Sequence, residues 1–302
     1  MRGKHPSYYL EAEPTCRCGD LSRSMSLPST IPSSAGPALV RRHASPECHI
    51  HQAGILHIRL LGPIAVRWGA VPVQLPTKGS RSLLAVLALR RGIEYRESVA
   101  ADLWPERGTR SAAALRQALW LLRGGLANAG AEPDAVIDAD DELIGLVDER
   151  VEVDVARFEH LLLKHPRAVE EAVALYRGDL CVSHAPDFFV RERERLADLF
   201  EDALADLAQR RLRAGDWDGA RQAATALLHR DALREEGHAI LIELFGHVGS
   251  RSQVARQYRR LRQVLAQELH VTPLPETEAA YSAALLATYE RSNAAVAGVA
   301  AR

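Results

Sequence analysis

The sequence predicts a mainly α-helical protein, in which a winged helix-turn-helix with an N-terminal antiparallel sheet precedes an all-α domain of tetratricopeptide-like repeats. Three observations lead to this fold class. In residues 55–75 apolar residues alternate with polar ones, as in a strand. From there to Asn128 the apolar residues instead recur at helical spacing. Related segments then recur 34 residues apart in the C-terminal half. The chain of 302 residues is long enough for two such domains.

The bulk composition excludes several classes of protein. A hydrophobic content of 47% with 25% charged residues is ordinary for a globular chain, and the formal net charge is only -1. No run of 18 apolar residues is present, and the N-terminus lacks the apolar segment of a secretory signal. Four cysteines are too few and too unevenly placed for a disulfide scaffold. We therefore expect a cytoplasmic protein without a membrane partner.

Residues 1–54 are rich in Pro, Ser, Arg and His and have no hydrophobic period. Such a segment buries too little apolar surface to offset the entropy lost on ordering, which predicts a disordered tail. Alternatively, it is an over-extended start, with Met25 as one alternative initiator. A second interpretation is a zinc site with ligands from Cys16, Cys18, Cys48, His49 and His51. The C-x-C and C-H-x-H spacings are not those of common structural zinc sites, so disorder is favoured.

Three short segments after this tail predict an antiparallel sheet. LHIRLLG, IAVRW and VPVQL each alternate apolar and polar residues, and Gly62-Pro63 and Gly69 separate them. Helical patterns follow. Thr77 can cap a first helix, a second is expected near 96–104, and a third from about 109 to 128.

A hairpin ends the first predicted domain. AVID and LIGLV flank Asp140-Asp141 and predict two paired strands, the wing. Together these elements predict a winged-helix DNA-binding domain at residues 55–148.

The C-terminal half predicts helices only. From Val151 onward the strand pattern is absent, and helical segments are expected near 154–164, 167–177, 188–214, 216–229, 233–248, 251–268 and 276–290. RAGDWDGA around Gly215 and HVGSRSQV around Gly249 differ by the tetratricopeptide period. Each helix pair has an apolar face that it cannot bury alone, so the pairs are expected to stack. This predicts a helical domain at 150–290 and a flexible tail at 291–302.

The third helix carries the candidate DNA contacts. Its stripe of Leu115, Leu119, Leu122 and Leu126 is expected in the core, since these residues share one helix face. In the major groove, Gln pairs with adenine and Arg with guanine. We therefore assign base contact to Gln117 and Arg116, and phosphate contact to Arg110 and Arg123. Lys78 and Arg81 on the first helix belong to the same basic footprint.

The second half of this helix leaves two alternatives open. Trp120 either packs against thymine methyl groups or forms part of a protein interface. Gly124-Gly125 either weakens the helix, at about 1 kcal/mol per glycine relative to alanine, or ends it near Arg123.

Local charge supports DNA binding in one segment and opposes it in the next. Residues 55–126 contain 11 Lys and Arg against 4 Asp and Glu, whereas residues 127–148 contain 7 acidic residues and no basic one. The first segment suits phosphates, but the negative minor groove repels an acidic wing. Either the wing stays away from the DNA, or the module has lost DNA binding.

In ordered combination, these segments resemble a known family. RLLGPIAV, LLAVLAL, LWP and LRQALWLLR are similar to the DNA-binding half of SARP-type regulators, a response-regulator-type winged helix. VDVARFEHLL, AVALYRGDL, LRAGDWDGA and QYRRLRQVLAQELHVTPLPET resemble the bacterial transcriptional activator domain that accompanies it. The resemblance covers about residues 55–290.

The resemblance implies a sequence-specific transcriptional activator that binds double-stranded promoter DNA, commonly at direct repeats, and recruits RNA polymerase. It also implies that the helical domain meets a partner, either a second copy of the chain or the polymerase. The loop from Pro105 to Thr109 is a second expected polymerase contact. The family typically has LRQALSRLRRAL, so Trp120 replaces a small polar residue here, and Leu121 and Gly124 replace arginines. Each lost phosphate contact should flatten the salt dependence by about 0.9 log unit.

No enzyme motif accompanies these features. The sequence lacks G-x-x-x-x-G-K-[ST], G-x-S-x-G and H-E-x-x-H patterns, and Cys181 is interpreted as an interior hydrophobic residue. We therefore expect no catalysis, no cofactor and no metal. The alternative to a DNA-binding regulator is a protein-interaction scaffold with a degenerate winged helix.

Overall fold

The computed structural model describes residues 54–164, 168–181 and 187–300. The predicted disordered tail before Gly54 lies outside the described residues, and so does the zinc interpretation of its cysteines and histidines.

An N-terminal sheet opens the described chain. Its first three strands are β1 (Leu56–Arg59), β2 (Ala65–Trp68) and β3 (Val71–Pro72). They pair antiparallel in sequence order, with Ile58 opposite Val66, and this confirms the predicted strands. Leu56 and Ile58 are buried, as the period-two pattern requires.

Three helices and a wing sheet complete the first domain. The helices are α1 (Lys78–Arg90), α2 (Arg96–Leu103) and α3 (Ser111–Asn128), with a 3-10 turn at Pro105–Arg110 before α3. The hydroxyl of Thr77 accepts a hydrogen bond from the Ser80 backbone N–H at 3.2 Å and caps α1 as predicted. The wing sheet has the order β4-β6-β5, from β4 (Ile93–Tyr95), β5 (Ile137–Ala139) and β6 (Leu143–Leu146).

The expectation that strands are absent from Val151 onward is wrong. A seventh strand, β7 (Val151–Val153), pairs parallel to β1 and completes the sheet order β3-β2-β1-β7. Three residues are too few to show a period in the sequence. The pairing partner, which lies in a distant segment, is what makes this stretch a strand.

Seven helices form the C-terminal part of the described chain: α4 (Asp154–Leu163), α5 (Ala168–Leu175), α6 (Asp187–Arg213), α7 (Trp217–Arg230), α8 (Glu235–Val248), α9 (Arg251–Glu268) and α10 (Pro275–Ala300). Gly215 and Gly249 end α6 and α8 with φ of +77° and +81°. Glycine adopts this left-handed conformation without strain. Equivalent glycines 34 residues apart therefore match the predicted repeat, and the predicted fold class is confirmed.

The last helix is longer than the sequence predicts. The backbone of α10 is helical through Ala300, whereas a flexible tail was expected from residue 291. The reason lies in the composition of residues 294–300, which are rich in alanine, the residue with the highest helix propensity.

A partly buried carboxylate joins the sheet to the helical domain. Asp154, the first residue of α4, accepts hydrogen bonds from the backbone N–H groups of Leu60 at 2.8 Å and Leu61 at 3.0 Å. Burial raises the pKa of Asp154 above its usual value, because desolvation outweighs the opposing effect of these donors. One hydrophobic core continues across this contact, from Leu56 in β1 to Phe158 in α4.

Candidate nucleic-acid interface

The helix α3 has one buried face and one exposed face. Its predicted stripe of Leu115, Leu119, Leu122 and Leu126 is buried in the core, where α3 packs against α1 and α2. This packing fixes the rotation of the helix about its own axis. The opposite face therefore points away from the domain.

Three of the predicted DNA-contact residues lie on this exposed face or just before it. Arg110, Arg116 and Gln117 are all exposed, and none of them has an ion pair or a side-chain hydrogen bond within the described residues. Trp120 lies one turn after Gln117 and is 73% exposed, which is far more than is usual for an indole. The first half of this face is thus polar and basic, and the second half is apolar.

Arg123 does not join this exposed group. Its guanidinium donates to the Asp134 carboxylate at 2.9 Å, and its Nε is buried. Asp134 lies in the short 3-10 turn before the wing, so Arg123 faces the wing segment. The ion pair neutralises part of the charge that the sequence analysis assigned to a phosphate.

The two DNA-contact residues predicted on α1 are both exposed, but they line different cavities. Lys78 lines a cavity together with Trp104 and Arg107 of the α2–α3 connection. Arg81, one turn later, lines a different cavity with Arg59 and Gln74 on the side of the N-terminal sheet. The structure therefore brings only Lys78 towards the helix-turn-helix.

The two adjacent glycines of α3 have different surroundings. The helix continues to Asn128, so the alternative that it ends near Arg123 is wrong. The cause is packing, because Leu126 is buried in the core and holds the last turn in place. Gly125 is buried against the segment before α1, whereas a side chain at Gly124 would meet open space.

A shallow cavity of about 270 Å³ lies beside Trp120. Gln74 and Pro76, from the segment between β3 and α1, line it together with Leu121 and Gly124. Sequence reasoning missed Gln74 and Pro76, because they lie outside every periodic segment and approach α3 only in the folded chain.

The wing has an acidic tip held by its own backbone. The Asp140 carboxylate accepts hydrogen bonds from the N–H groups of Glu142 and Leu143, and these two bonds lower its pKa. The Arg96 side chain donates to the Asp140 carbonyl oxygen, which positions one cation near the tip. The tip carboxylates of Asp140, Asp141 and Glu142 are exposed.

Two features are absent from the described ranges: a cluster of metal ligands and a membrane-spanning helix. No group of three potential metal ligands occurs in residues 54–164, 168–181 and 187–300, and no helix there has the length and apolar character needed to cross a membrane. Burial raises the pKa of the Cys181 thiol to about 12, so the nucleophilic thiolate does not form near neutral pH.

A family comparison now identifies the second domain. Residues 153–285 match the family described as the bacterial transcriptional activator domain. The matched segment lies within the helical domain that the sequence predicts at residues 150–290. The winged-helix fold precedes this matched segment, in the order that the sequence predicts.

The solved structures contain a similar fold. Mycobacterium tuberculosis EmbR, solved in complex with a low-affinity phosphopeptide, superposes with a TM-score of 0.67 at 22% sequence identity. The match covers 82% of this chain and 71% of EmbR. At this identity the likeness concerns the fold. No curated protein matches the sequence.

Proposed function

We propose that this SARP-type chain is a sequence-specific DNA-binding activator that recruits RNA polymerase at its target promoters. One observation carries the proposal. The core-facing leucines of α3 orient Arg116 and Gln117 outwards, and Arg110 is exposed just before the helix; none of the three has an ion pair or side-chain hydrogen bond within the described part of the chain. Residues so arranged on an exposed helix suit the major groove.

The proposed contacts divide into two kinds. Gln117 reads adenine and Arg116 reads guanine through base edges, while Arg110 and Lys78 hold phosphates. Arg81 and Arg123 have a lesser part, because Arg81 faces the sheet side and Arg123 is paired with Asp134. The electrostatic contribution to DNA affinity is therefore smaller than that of a helix with arginines at positions 121 and 124.

Trp120 supplies the apolar part of the same contact. Its indole lies one helical turn beyond Gln117 on the exposed face, where a thymine methyl group would follow an adenine contact. The neighbouring cavity gives the ring room to change its side-chain conformation.

The proposed polymerase contact is the loop from Pro105 to Thr109. All five of its residues are exposed, and it immediately precedes Arg110 and the proposed DNA-facing helix. The activator domain is the proposed site for a second copy of the chain, and the exposed Leu286 and Tyr289 on α10 support an interface there. Action at a bacterial promoter implies a cytoplasmic location.

A second candidate function is a protein-interaction scaffold. The observations that favour it are the acidic wing tip, the Arg123–Asp134 ion pair and the exposed indole of Trp120. These three features would suit a protein partner better than a phosphate backbone.

A salt titration distinguishes the two functions. Fluorescence anisotropy of the full chain would be measured on labelled DNA from upstream of its own and neighbouring genes, with random DNA of equal length as control. A DNA-binding activator shows specific affinity that falls steeply between about 50 and 200 mM salt. Equal affinity for both DNAs, or no salt dependence, would refute the activator and leave the scaffold.

A further inference from the structure

We propose that the junction between the winged helix and the activator domain binds a small organic anion, a phosphate ester or a carboxylate, as an effector. A cavity of about 690 Å³ lies at this junction. Such a volume falls within the range of roughly 300–1,000 Å³ that is typical of sites for small ligands. Arg59 and Arg91 of the winged helix and His160 and Leu175 of the helical domain line it together.

The acidic groups of the cavity are already occupied. Glu152 pairs with His57 at 3.1 Å. Asp154 accepts hydrogen bonds from the backbone N–H groups of Leu60, Leu61 and Val155. Asp154 also interacts electrostatically with Arg59, so it offsets part of the positive charge of the cavity.

Three basic side chains of the cavity remain available. Arg59, Arg91 and His160 are exposed, and none has an ion pair or side-chain hydrogen bond within the described ranges. A guanidinium presents a planar set of donors that fits a carboxylate or a phosphate with two hydrogen bonds. Two such groups and a histidine around one cavity favour an anionic ligand.

The remaining surface of the cavity favours an organic ligand over an inorganic ion. Carbon atoms of Ile58, Val151, Ala156 and Leu175 contribute to its lining. Binding sites for small molecules combine such apolar walls with a few polar groups that fix the orientation. The expected ligand thus has an apolar body and one or two acidic groups.

The backbone at Arg91 is a second, independent observation. This residue has φ of +54° and ψ of 139°, a conformation that costs energy for any residue other than glycine. The fold nevertheless places an arginine there, and its side chain lines the cavity. Residues held in strained conformations cluster at functional sites, which agrees with a ligand contact.

This site is distinct from the proposed DNA contact. No residue of α3 or of the 3-10 turn before it lines the cavity. A ligand held by Arg91 and His160 would bridge the two domains beside the Asp154 hydrogen bonds. It would therefore stabilise their contact, and binding would raise the thermal midpoint of the whole chain.

The test uses a fluorescent organic anion and two displacing anions. The full chain is titrated with 8-anilinonaphthalene-1-sulfonate, and the bound probe is then challenged with phenyl phosphate or benzoate. We expect saturable binding that at least one of them reverses: phenyl phosphate for a phosphate site, benzoate for a carboxylate site. Arg91→Gly and Arg59→Ala should each weaken displacement by about tenfold or more, since hydrogen bonds to charged groups are lost.

A stability measurement and a control variant complete the test. Arg91→Gly removes the cation but relieves the backbone, so its thermal midpoint should equal or exceed that of the wild type. Arg256→Ala removes an exposed arginine of α9 outside the cavity and should bind as the wild type. Displacement by neither anion, or equal displacement from the wild type and both cavity variants, would overturn the proposal.

Discussion

Gly125 of α3 lies so close to Gln74 that a β-carbon on Gly125 would be 2.6 Å from the Gln74 carbonyl oxygen. Its neighbour Gly124 has nothing within 4 Å of the same position. The two adjacent glycines of α3 therefore have different structural roles. Gly125 permits a close backbone contact, whereas Gly124 is a surface position without a packing constraint.

Substituting the two glycines by alanine should change stability in opposite directions. Gly125→Ala forces α3 away from Gln74 and should lower the free energy of unfolding by about 1–3 kcal/mol. Gly124→Ala should raise it by up to about 1 kcal/mol, because alanine favours the helix. Urea denaturation followed by circular dichroism measures both. Equal changes in the free energy of unfolding of the two variants would contradict the close contact between Gly125 and Gln74.

Gly124→Arg should restore a phosphate contact. The position is exposed and free of steric conflict, so an arginine can extend from it towards DNA. The slope of log affinity against log salt should steepen by about 0.9. Anisotropy titrations at several salt concentrations measure it, with Gly124→Ala as the control for helix propensity. An unchanged slope would place this end of α3 away from the phosphate backbone.

Gln117 and Arg110 should affect DNA binding in different ways. Gln117→Ala should relax sequence preference, at about 1–3 kcal/mol of discrimination for a lost bidentate base contact. Arg110→Ala should weaken binding to all sequences alike and reduce the salt slope. Competition between the promoter fragment and point-mutated fragments measures the difference. If neither variant changes binding, α3 is not the helix in the groove.

Asp154 should contribute strongly to stability. In Asp154→Ala the buried N–H groups of Leu60 and Leu61 lose their acceptor, at about 1–3 kcal/mol each. Chemical denaturation gives the loss directly. The matched control is Glu149→Ala, which removes an exposed carboxylate from the 3-10 turn just before β7. If Asp154→Ala and Glu149→Ala lower the free energy of unfolding by similarly small amounts, Asp154 does not hold the sheet to α4.

His238 should make stability depend on pH. Its Nε2–H donates to the Ala232 carbonyl at 3.1 Å, and its Nδ1 accepts from the Gln257 amide at 2.8 Å. Burial lowers the pKa of His238 below its usual 6.5. As the pH falls, the unfolded chain therefore takes up this proton at a higher pH than the native chain does. The contribution of His238 to the free energy of unfolding is complete above pH 6.5 and is lost as the pH falls through the native pKa.

Replacing this histidine should reduce the pH dependence. Between about pH 7.5 and 5.5, the wild type should lose more unfolding free energy than His238→Gln does. His229→Gln, which changes an exposed histidine on α7, serves as the control and should keep the wild-type slope. Parallel slopes for His238→Gln and the wild type would contradict a buried neutral imidazole.

Local signals in the sequence determined most of the elements and the orientation of α3. The Thr77 cap, the period-two alternation at Leu56 and Ile58, and the leucine stripe from Leu115 to Leu126 act over a few residues, so a linear reading captures them. The repeat marked by Gly215 and Gly249 is equally local, because each glycine ends its own helix.

Tertiary contacts decided what the sequence could not. The strand β7 forms only beside β1, Arg123 becomes an ion-pair partner only because Asp134 folds back on it, and Gly125 gains its role only from Gln74. Each of these depends on two segments that are far apart or aperiodic in the chain. Since a hydrogen bond or a close contact joins specific partners, residue types alone do not specify it.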